Sequence, residues 1–282
     1  MSVKPNVGFV GLGAMGIGMA KHLLHEGFQV TGCDVDERAI QDFRASGGQV
    51  TRNARAILEN LPDCHVLVIM VANAEQASSV LFDDQKGCAL GLPRNAAVLL
   101  CITAAPECAI SIRAVLNGMG RDDIVSLDCP VSGGANRAAD GTLSILVSGS
   151  TELPENTAQV LQALSSNLYH VPGAPGSAFA LKMIHQILVG SHIVAANEVM
   201  GLAAVGGLDF SMVYSAVMSS DAASWLYGER VSHLQDLERP PYSSLAIILK
   251  DMVSLTNIVF LILISFALAI IANRKCNSAR VL

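Results

Sequence analysis

The sequence predicts an α/β protein in which a doubly wound parallel sheet is followed by an all-α domain. Up to residue 171, short apolar runs typical of buried parallel strands alternate with segments of helical spacing. In the stretch at residues 7–16, a glycine-rich turn at 11–16 joins the first of these strands to the first helix. After residue 172 the alternating strand pattern does not return, and the spacing is helical.

Individual residues support these elements in order. We predict strands at 7–10, 28–34, 65–71, 97–102, 124–129, 143–148 and 168–171. We predict helices at 14–26, 37–45, 53–60, 73–82, 106–116, 154–164, 177–205, 210–219, 225–236 and 243–252. Gly27 and Gly47 follow the first two helices as stops, Asn53 and Asn73 begin the next two, and Pro106 opens the fifth. The segment 177–205 is apolar nearly all round, which indicates burial between partners.

Length and composition limit the possible functions. With 282 residues the chain can form two domains, and we expect a sheet domain at 1–171, an all-α domain at 172–252 and an atypical tail at 253–282. A net charge of −6 argues against a nucleic-acid partner. Seven scattered cysteines predict reduced thiols, with neither a disulfide framework nor a metal site. We expect a cytoplasmic protein, with a mitochondrial one as the alternative, since no targeting segment is recognised.

The glycine-rich turn reads Gly11-Leu12-Gly13-Ala14-Met15-Gly16. The G-x-G-x-x-G spacing lies between a strand and a helix, where backbone N–H groups and the helix dipole favour a pyrophosphate. This context predicts a Rossmann dinucleotide site formed by residues 11–16, whereas the spacing alone would also fit an ordinary glycine turn.

Asp34 ends the second predicted strand, 23 residues after Gly11. A carboxylate at this place accepts hydrogen bonds from the adenosine ribose and repels a 2′-phosphate. The position therefore predicts NAD, with NADP less favoured, although Arg38 is close enough in sequence to reach a 2′-phosphate. The alternative is a strand-end or capping acid.

The segment Asp128-Cys-Pro-Val-Ser-Gly-Gly134 follows the strand at 124–129. Ligands bind at this edge of parallel sheets. The hydroxyl of Ser132 and the backbone N–H groups of Gly133 and Gly134 would suit a substrate carboxylate. A plain turn is the alternative.

Three cationic or imidazole side chains lie on the predicted helices. Lys182 is early in the segment 177–205, where it either extends its amine to solvent or is buried for catalysis. His185 shares the face of Lys182 and forms no metal site with His192, since no acid accompanies them. Lys250 ends a helix, where the dipole also favours a cation.

Taken together, these motifs resemble those of the β-hydroxyacid dehydrogenases, over residues 5–252. The 182–186 segment Lys-Met-Ile-His-Gln is most similar to the L-threonate dehydrogenase-like branch. The resemblance implies an NAD(P)-dependent oxidoreductase acting on a small hydroxyacid, in which Lys182 is the acid/base group and His185 orients the hydroxyl. It implies that Ser132, Gly133, Gly134 and Lys250 bind the substrate, and that Asn73 and Thr103 contact the cofactor. It also implies a homodimer or homotetramer if the α domain is complete.

The tail departs from this family. Residues 253–273 carry no charge, and Arg274 and Lys275 follow. The segment fits a membrane anchor, a core helix or, as we favour, a translated intron, because Val253-Ser254 can be encoded by a splice-donor sequence. Two rival functions follow, a non-catalytic NAD-binding protein and a membrane-tethered dehydrogenase. The chain is too short for a decarboxylating relative similar to 6-phosphogluconate dehydrogenase.

Overall fold

The predicted apolar strands form the central sheet of the protein in its computed structural model, which describes residues 4–234. The strands are β1 (Val7–Val10), β2 (Val30–Cys33), β3 (Gln49–Thr51), β4 (Val66–Ile69), β5 (Ala97–Leu100), β6 (Val125–Asp128), β7 (Val131–Ser132), β8 (Leu143–Val147) and β9 (Ser165–His170). The helices are α1 (Gly16–His25), α2 (Glu37–Ala45), α3 (Ala54–Asn60), α4 (Ala74–Phe82), α5 (Pro106–Gly118), α6 (Gly134–Ala139), α7 (Glu155–Leu164), α8 (Ser177–Val205), α9 (Phe210–Met218) and α10 (Trp225–Leu234). A 3₁₀ turn covers Ala89–Gly91.

Strands β1 to β6 form a parallel sheet in the order β3-β2-β1-β4-β5-β6. Every residue of β1, β2, β4 and β5 is buried. Successive residues of β1, Phe9 and Val10, enter two different apolar clusters, one on each face of the sheet. The predicted fold class, a Rossmann sheet with a helical part after it, is confirmed. The strand order reverses beside β1, which places a ligand crevice at the carboxyl ends of β1 and β4.

A smaller sheet follows the sixth strand. Strand β7 pairs antiparallel with β8, and β8 pairs parallel with β9. An antiparallel bridge between Asp128 and Ser148 connects the end of β6 to the end of β8.

Four helices are capped by the residue directly before them. The side chains of Asp36, Asn53, Asn73 and Asp209 accept hydrogen bonds from the first turns of α2, α3, α4 and α9, respectively. Such caps satisfy N–H groups that a helix cannot pair internally. The predicted starts of these helices agree with the structure to within one residue.

The structure differs from the prediction in several short elements. Strand β3 was not predicted, because it is a three-residue strand at the edge of the sheet. Strand β7 and helix α6 were not predicted either, because the segment 128–134, in which β7 lies and α6 begins, reads as a turn. Helix α1 begins at Gly16 rather than Ala14, and β9 begins at Ser165 rather than Leu168. The predicted helix 243–252 and the tail lie outside the described residues.

The chain divides into two compact units between Met183 and Ile184, within α8. In the described part of the second unit, Ala196, Met200, Tyr227 and Val231 form a small apolar cluster. Other apolar residues of this part of α8, such as Leu188 and Leu202, are exposed, so burial around this helix is not complete within residues 4–234. Helix α8 has the length and apolarity of a membrane span, properties that core helices of soluble proteins share.

Candidate active site

The predicted dinucleotide turn connects β1 to α1. A Cβ atom at Gly16 would overlap the carbonyl oxygen of Gly11, so the turn can close only with glycine there. Gly13 is exposed, and a Cβ atom on it would meet nothing within 4 Å. Helix α1 has no side-chain cap on its first turn, and that turn carries no acidic residue. The turn therefore has the open backbone and the uncapped helix N-terminus that bind a pyrophosphate.

The side chain of Asp34 is hydrogen-bonded directly to the backbone of this turn. Its Oδ2 accepts a hydrogen bond from the backbone N–H of Leu12 at 2.6 Å. Its Oδ1 accepts hydrogen bonds from the N–H groups of Val35 at 2.7 Å and Asp36 at 2.9 Å. The carboxylate is held in a fixed orientation beside the turn, and three donors still leave acceptor capacity for a ribose hydroxyl.

Gly11, Gly13 and Asp34 line one cleft of about 430 Å³. Two cations that the sequence did not single out, Arg52 and Lys86, line it too. Arg52 follows β3, the edge strand that the prediction missed, which explains why its place beside β2 was not anticipated. The guanidinium of Arg52 is paired with the carboxylate of Glu37. Arg38 lines a neighbouring pocket that Asp34 also borders.

Asn73 and Thr103 follow β4 and β5, two adjacent strands of the sheet. The carboxyl ends of these parallel strands lie at the same edge as Gly11. The Oδ1 atom of Asn73 accepts a hydrogen bond from the N–H of Gln76 at 2.8 Å, so the residue caps α4. Its amide nitrogen is the group that could still donate to a cofactor. Thr103 is half-buried ahead of α5.

The predicted substrate segment forms β7 and the start of α6. Ser132 is half-buried and pairs in register with Ser144 of β8. Gly133 and Gly134 have φ angles of 142° and 75°, a backbone that other residues rarely adopt. Helix α6 then packs on α1, where a ring nitrogen of His22 lies 3.1 Å from the carbonyl oxygen of Ala139. This contact ties the helix that follows the Ser132 segment to α1.

Lys182 lies in the first part of α8 and is buried, with 6% of its surface exposed. It belongs to the same unit as the turn, Asp34 and Ser132. The first turn of α8 is hydrogen-bonded to the buried carboxylate of Asp128, a residue of the substrate segment whose own role the sequence did not indicate. Of the two alternatives for Lys182, burial is the one observed.

The other two predicted residues lie further along the chain. His185 is exposed in the second unit, and its Nδ1 lies 3.1 Å from Oε1 of Gln186. Lys250 lies outside the described residues. Among residues 4–234, no group of three or more histidine, cysteine or acidic side chains is arranged to hold a metal ion.

The six described cysteines are free thiols. Burial raises the pKa of Cys33 to about 11 and that of Cys101 to about 12. Cys108 is less buried, and its pKa is also raised to about 11, first by burial and then by the charges of Glu75 and Asp128. Thiols with such pKa values are weak nucleophiles at neutral pH.

Comparisons with known proteins agree with this geometry. The family model of the NAD binding domain of 6-phosphogluconate dehydrogenase matches residues 6–173. The family model of the NAD-binding region of NADP-dependent 3-hydroxyisobutyrate dehydrogenase matches residues 176–278. An L-threonate dehydrogenase from Escherichia coli is 36% identical over 248 residues, which are 88% of this chain and 80% of that protein.

Solved structures have the same fold. The crystal structure of 3-hydroxyisobutyrate dehydrogenase from Salmonella typhimurium superposes with a TM-score of 0.82 at 35% identity, covering 92% of this chain and 88% of that one. Psf3 in complex with NADP⁺ and 2-OPP superposes with a TM-score of 0.81 at 25% identity, covering 89% of this chain and 86% of that one. The similarity therefore extends over both units.

Proposed function

The chain belongs to the NAD(P)-binding hydroxyacid dehydrogenases, and we propose that it oxidises the CH–OH group of a small hydroxycarboxylic acid of the L-threonate or 3-hydroxyisobutyrate type. The observation that carries this proposal is the buried Lys182 at the start of α8, in one unit with the dinucleotide turn and the Ser132 segment. A lysine amine in that place can exchange a proton with a substrate hydroxyl.

In the proposed reaction, the substrate carboxylate binds to the hydroxyl of Ser132 and to the backbone N–H groups of Gly133 and Gly134. Without side chains, the two glycines leave their backbone N–H groups open to a ligand, which supports this role. His185 would orient the substrate hydroxyl, and Lys250 would add a positive charge near the carboxylate.

Lys182 acts as the base in the direction of oxidation. Its neutral amine takes the hydroxyl proton while the carbon–hydrogen bond breaks and a carbonyl forms. A bound nicotinamide cofactor supplies the acceptor for the hydride. In the reverse direction the ammonium of Lys182 returns the proton to the carbonyl oxygen.

We further propose that NAD is preferred over NADP. The carboxylate of Asp34 is fixed by three backbone N–H groups in the cleft, where it would accept a bond from a ribose hydroxyl and repel a 2′-phosphate. Arg52 lines the same cleft, but Glu37 already offsets its charge. Asn73 and Thr103 would contact the cofactor from the ends of β4 and β5.

We also propose that the chain pairs with copies of itself. In the described part of the second unit, Leu188, Val194 and Leu202 of α8 are more than half exposed. An apolar surface of this kind is typical of a subunit interface. Size-exclusion chromatography with light scattering tests this directly, and a monomer at micromolar concentration would contradict it.

The function is tested by assaying the full chain with L-threonate, 3-hydroxyisobutyrate and D-glycerate, each with NAD and with NADP. Formation of reduced cofactor is followed by absorbance, and binding of NADH by fluorescence. We expect at least one of these acids to be oxidised, with a higher kcat/KM for NAD. NADH binding without turnover of any hydroxyacid would indicate a non-catalytic NAD-binding protein instead.

A further inference from the structure

Asp128 is the one buried acid among residues 4–234, and its carboxylate accepts four hydrogen bonds. Asp128 ends β6, and only 1% of its surface is exposed. Its Oδ1 accepts a hydrogen bond from the N–H of Gly176 at 3.0 Å. Its Oδ2 accepts bonds from the N–H groups of Ala178 at 2.9 Å and Phe179 at 3.1 Å, and from the hydroxyl of Ser148 at 2.7 Å. Four donors directed at two oxygens fit an ionised carboxylate.

These N–H groups belong to the beginning of α8, where a helix needs outside acceptors. The capping side chains of α2, α3, α4 and α9 come from the residue directly before each helix. The acceptor for α8 comes instead from a residue 48 to 51 positions earlier in the chain. The interaction therefore does more than cap the N-terminus of a helix, because it fixes the first turn of α8 to the carboxyl end of β6.

Two residues of the proposed reaction follow this anchor, one on each of the two segments that it joins. Lys182 lies one turn beyond Ala178, about 6 Å further along α8. Ser132 lies four residues beyond Asp128, in β7. The N–H of Ala178 also donates to the hydroxyl of Ser148, which itself is bonded to Asp128 and bridges β8 to β6. The backbone that carries the lysine and the backbone that carries the serine are thus held by one carboxylate.

We propose that Asp128 is a positioning residue for the hydroxyacid oxidation, acting through the main chain of α8 to set Lys182 against the Ser132 segment. This rests on the proposed role of Lys182. Because Asp128 is buried and both its oxygens already accept bonds from protein donors, its proposed effect on the substrate is indirect. A displacement of about 1 Å in a reacting group can reduce a rate about 100-fold, so a fixed helix start is a requirement of the chemistry.

The test compares Asp128→Asn with two other variants. Asparagine keeps the size but places an NH₂ group against the N–H donors of α8. Ser148→Ala removes one donor and leaves the three N–H bonds intact. Asp209→Asn is the matched control. Asp209 caps α9 as the residue directly before that helix, and asparagine is an equally good cap at this position.

We expect kcat of Asp128→Asn to fall at least about 30-fold, with the Kd for NADH within about threefold of the wild type. Ser148→Ala should lose a few-fold in kcat, and Asp209→Asn should stay within about twofold. The primary deuterium isotope effect on kcat, with substrate labelled at the carbinol carbon, should rise in Asp128→Asn. A loss of folded protein alone would reduce kcat and leave the isotope effect unchanged.

The outcomes are separable. Wild-type kcat in a folded Asp128→Asn variant, or a fall in kcat with an unchanged isotope effect, would overturn the inference. If Asp128→Asn does not fold, Ser148→Ala decides, and an unchanged kcat and isotope effect in that variant would overturn it as well. Full activity of Lys182→Ala would instead refute the proposed function of the lysine, whereas an inactive Lys182→Ala beside a fully active Asp128→Asn would refute only the role of Asp128.

Discussion

Gly11 lies against the backbone carbonyl group of Met70, so closely that a Cβ atom at position 11 would overlap the carbonyl oxygen. Gly11 also has a φ angle of 96°, which side chains disfavour. Both features allow the end of β1 to lie directly beside the end of β4, where the N–H of Met70 donates to the carbonyl oxygen of Val10.

The first prediction is that Gly11→Ala destabilises the fold, by roughly 2 kcal/mol or more, because the methyl group meets backbone that cannot move aside. Gly13→Ala is the matched variant. A Cβ atom there has open space, so the stability should stay close to that of the wild type while the affinity for NADH falls, since the methyl group occupies the approach of the pyrophosphate.

Urea unfolding and NADH fluorescence titration measure the two effects. Equal losses of stability in Gly11→Ala and Gly13→Ala would contradict the assignment of different roles to the two glycines.

The second prediction concerns the cofactor. Asp34→Asn should reduce the ratio of kcat/KM for NAD to that for NADP by about tenfold or more, because the charge that repels a 2′-phosphate is lost and an amide replaces the acceptor beside Leu12. The exposed Asp63→Asn is the control. An unchanged ratio in Asp34→Asn would show that another group selects the cofactor.

The third prediction is that Lys182→Ala lowers kcat by about 100-fold to 10,000-fold, the usual contribution of a general acid/base group. The Kd for NADH should remain nearly unchanged, since the role proposed for the lysine is at the substrate hydroxyl and not at the dinucleotide turn. The exposed Lys4→Ala should keep its activity. Turnover of Lys182→Ala within tenfold of the wild type would refute the catalytic role.

Much of the fold was predictable because residues close together in the sequence determine many of its helices and strands. Parallel strands buried on both faces appear as apolar runs, and α8 was predicted with its observed ends because Gly176 and the long helical spacing mark it. Strand β7 and helix α6 were missed because a two-residue strand and a helix that begins at a glycine of positive φ carry little periodicity.

The cleft was predictable where a motif carries it, since Gly11, Gly13 and Asp34 line it together, whereas the role of Ser132 stays a prediction. The bonds from Asp128 to α8 were not predictable, because they join residues about 50 positions apart and no local pattern encodes them. The place of Arg52 in the cleft depends likewise on the pairing of β3 with β2.

The fourth prediction concerns pH and the loop before β5. The guanidinium of Arg121 holds both oxygens of Asp123, at 2.9 and 3.2 Å, and donates to the carbonyl oxygens of Ala89, Leu92 and Pro93. The hydrogen bond from Arg121 lowers the pKa of Asp123 from 3.8 to about 2. A lowered pKa means that this carboxylate stabilises the fold above about pH 4, and that the stabilisation is lost as the pH falls toward 2.

Asp123→Asn should therefore have a lower Tm than the wild type at pH 6, and the difference should shrink between pH 4 and pH 2. Thermal unfolding followed by circular dichroism across this range measures it. A Tm difference that is the same at pH 6 and at pH 2 would contradict the ionic contribution.

The division of the chain within α8 also bears on which functional residues a sequence change in either unit would affect. The dinucleotide turn, Asp34, Ser132 and Lys182 all precede residue 184, whereas His185 and Lys250 come after it. Under the proposed function, mutation of the later part would change the group that orients the substrate hydroxyl and the proposed pairing surface, while the residues proposed for cofactor binding, carboxylate binding and proton exchange stay unchanged. A change confined to residues after 183 would thus leave Lys182 and the segment at 132–134 in place, and would act only on what surrounds them.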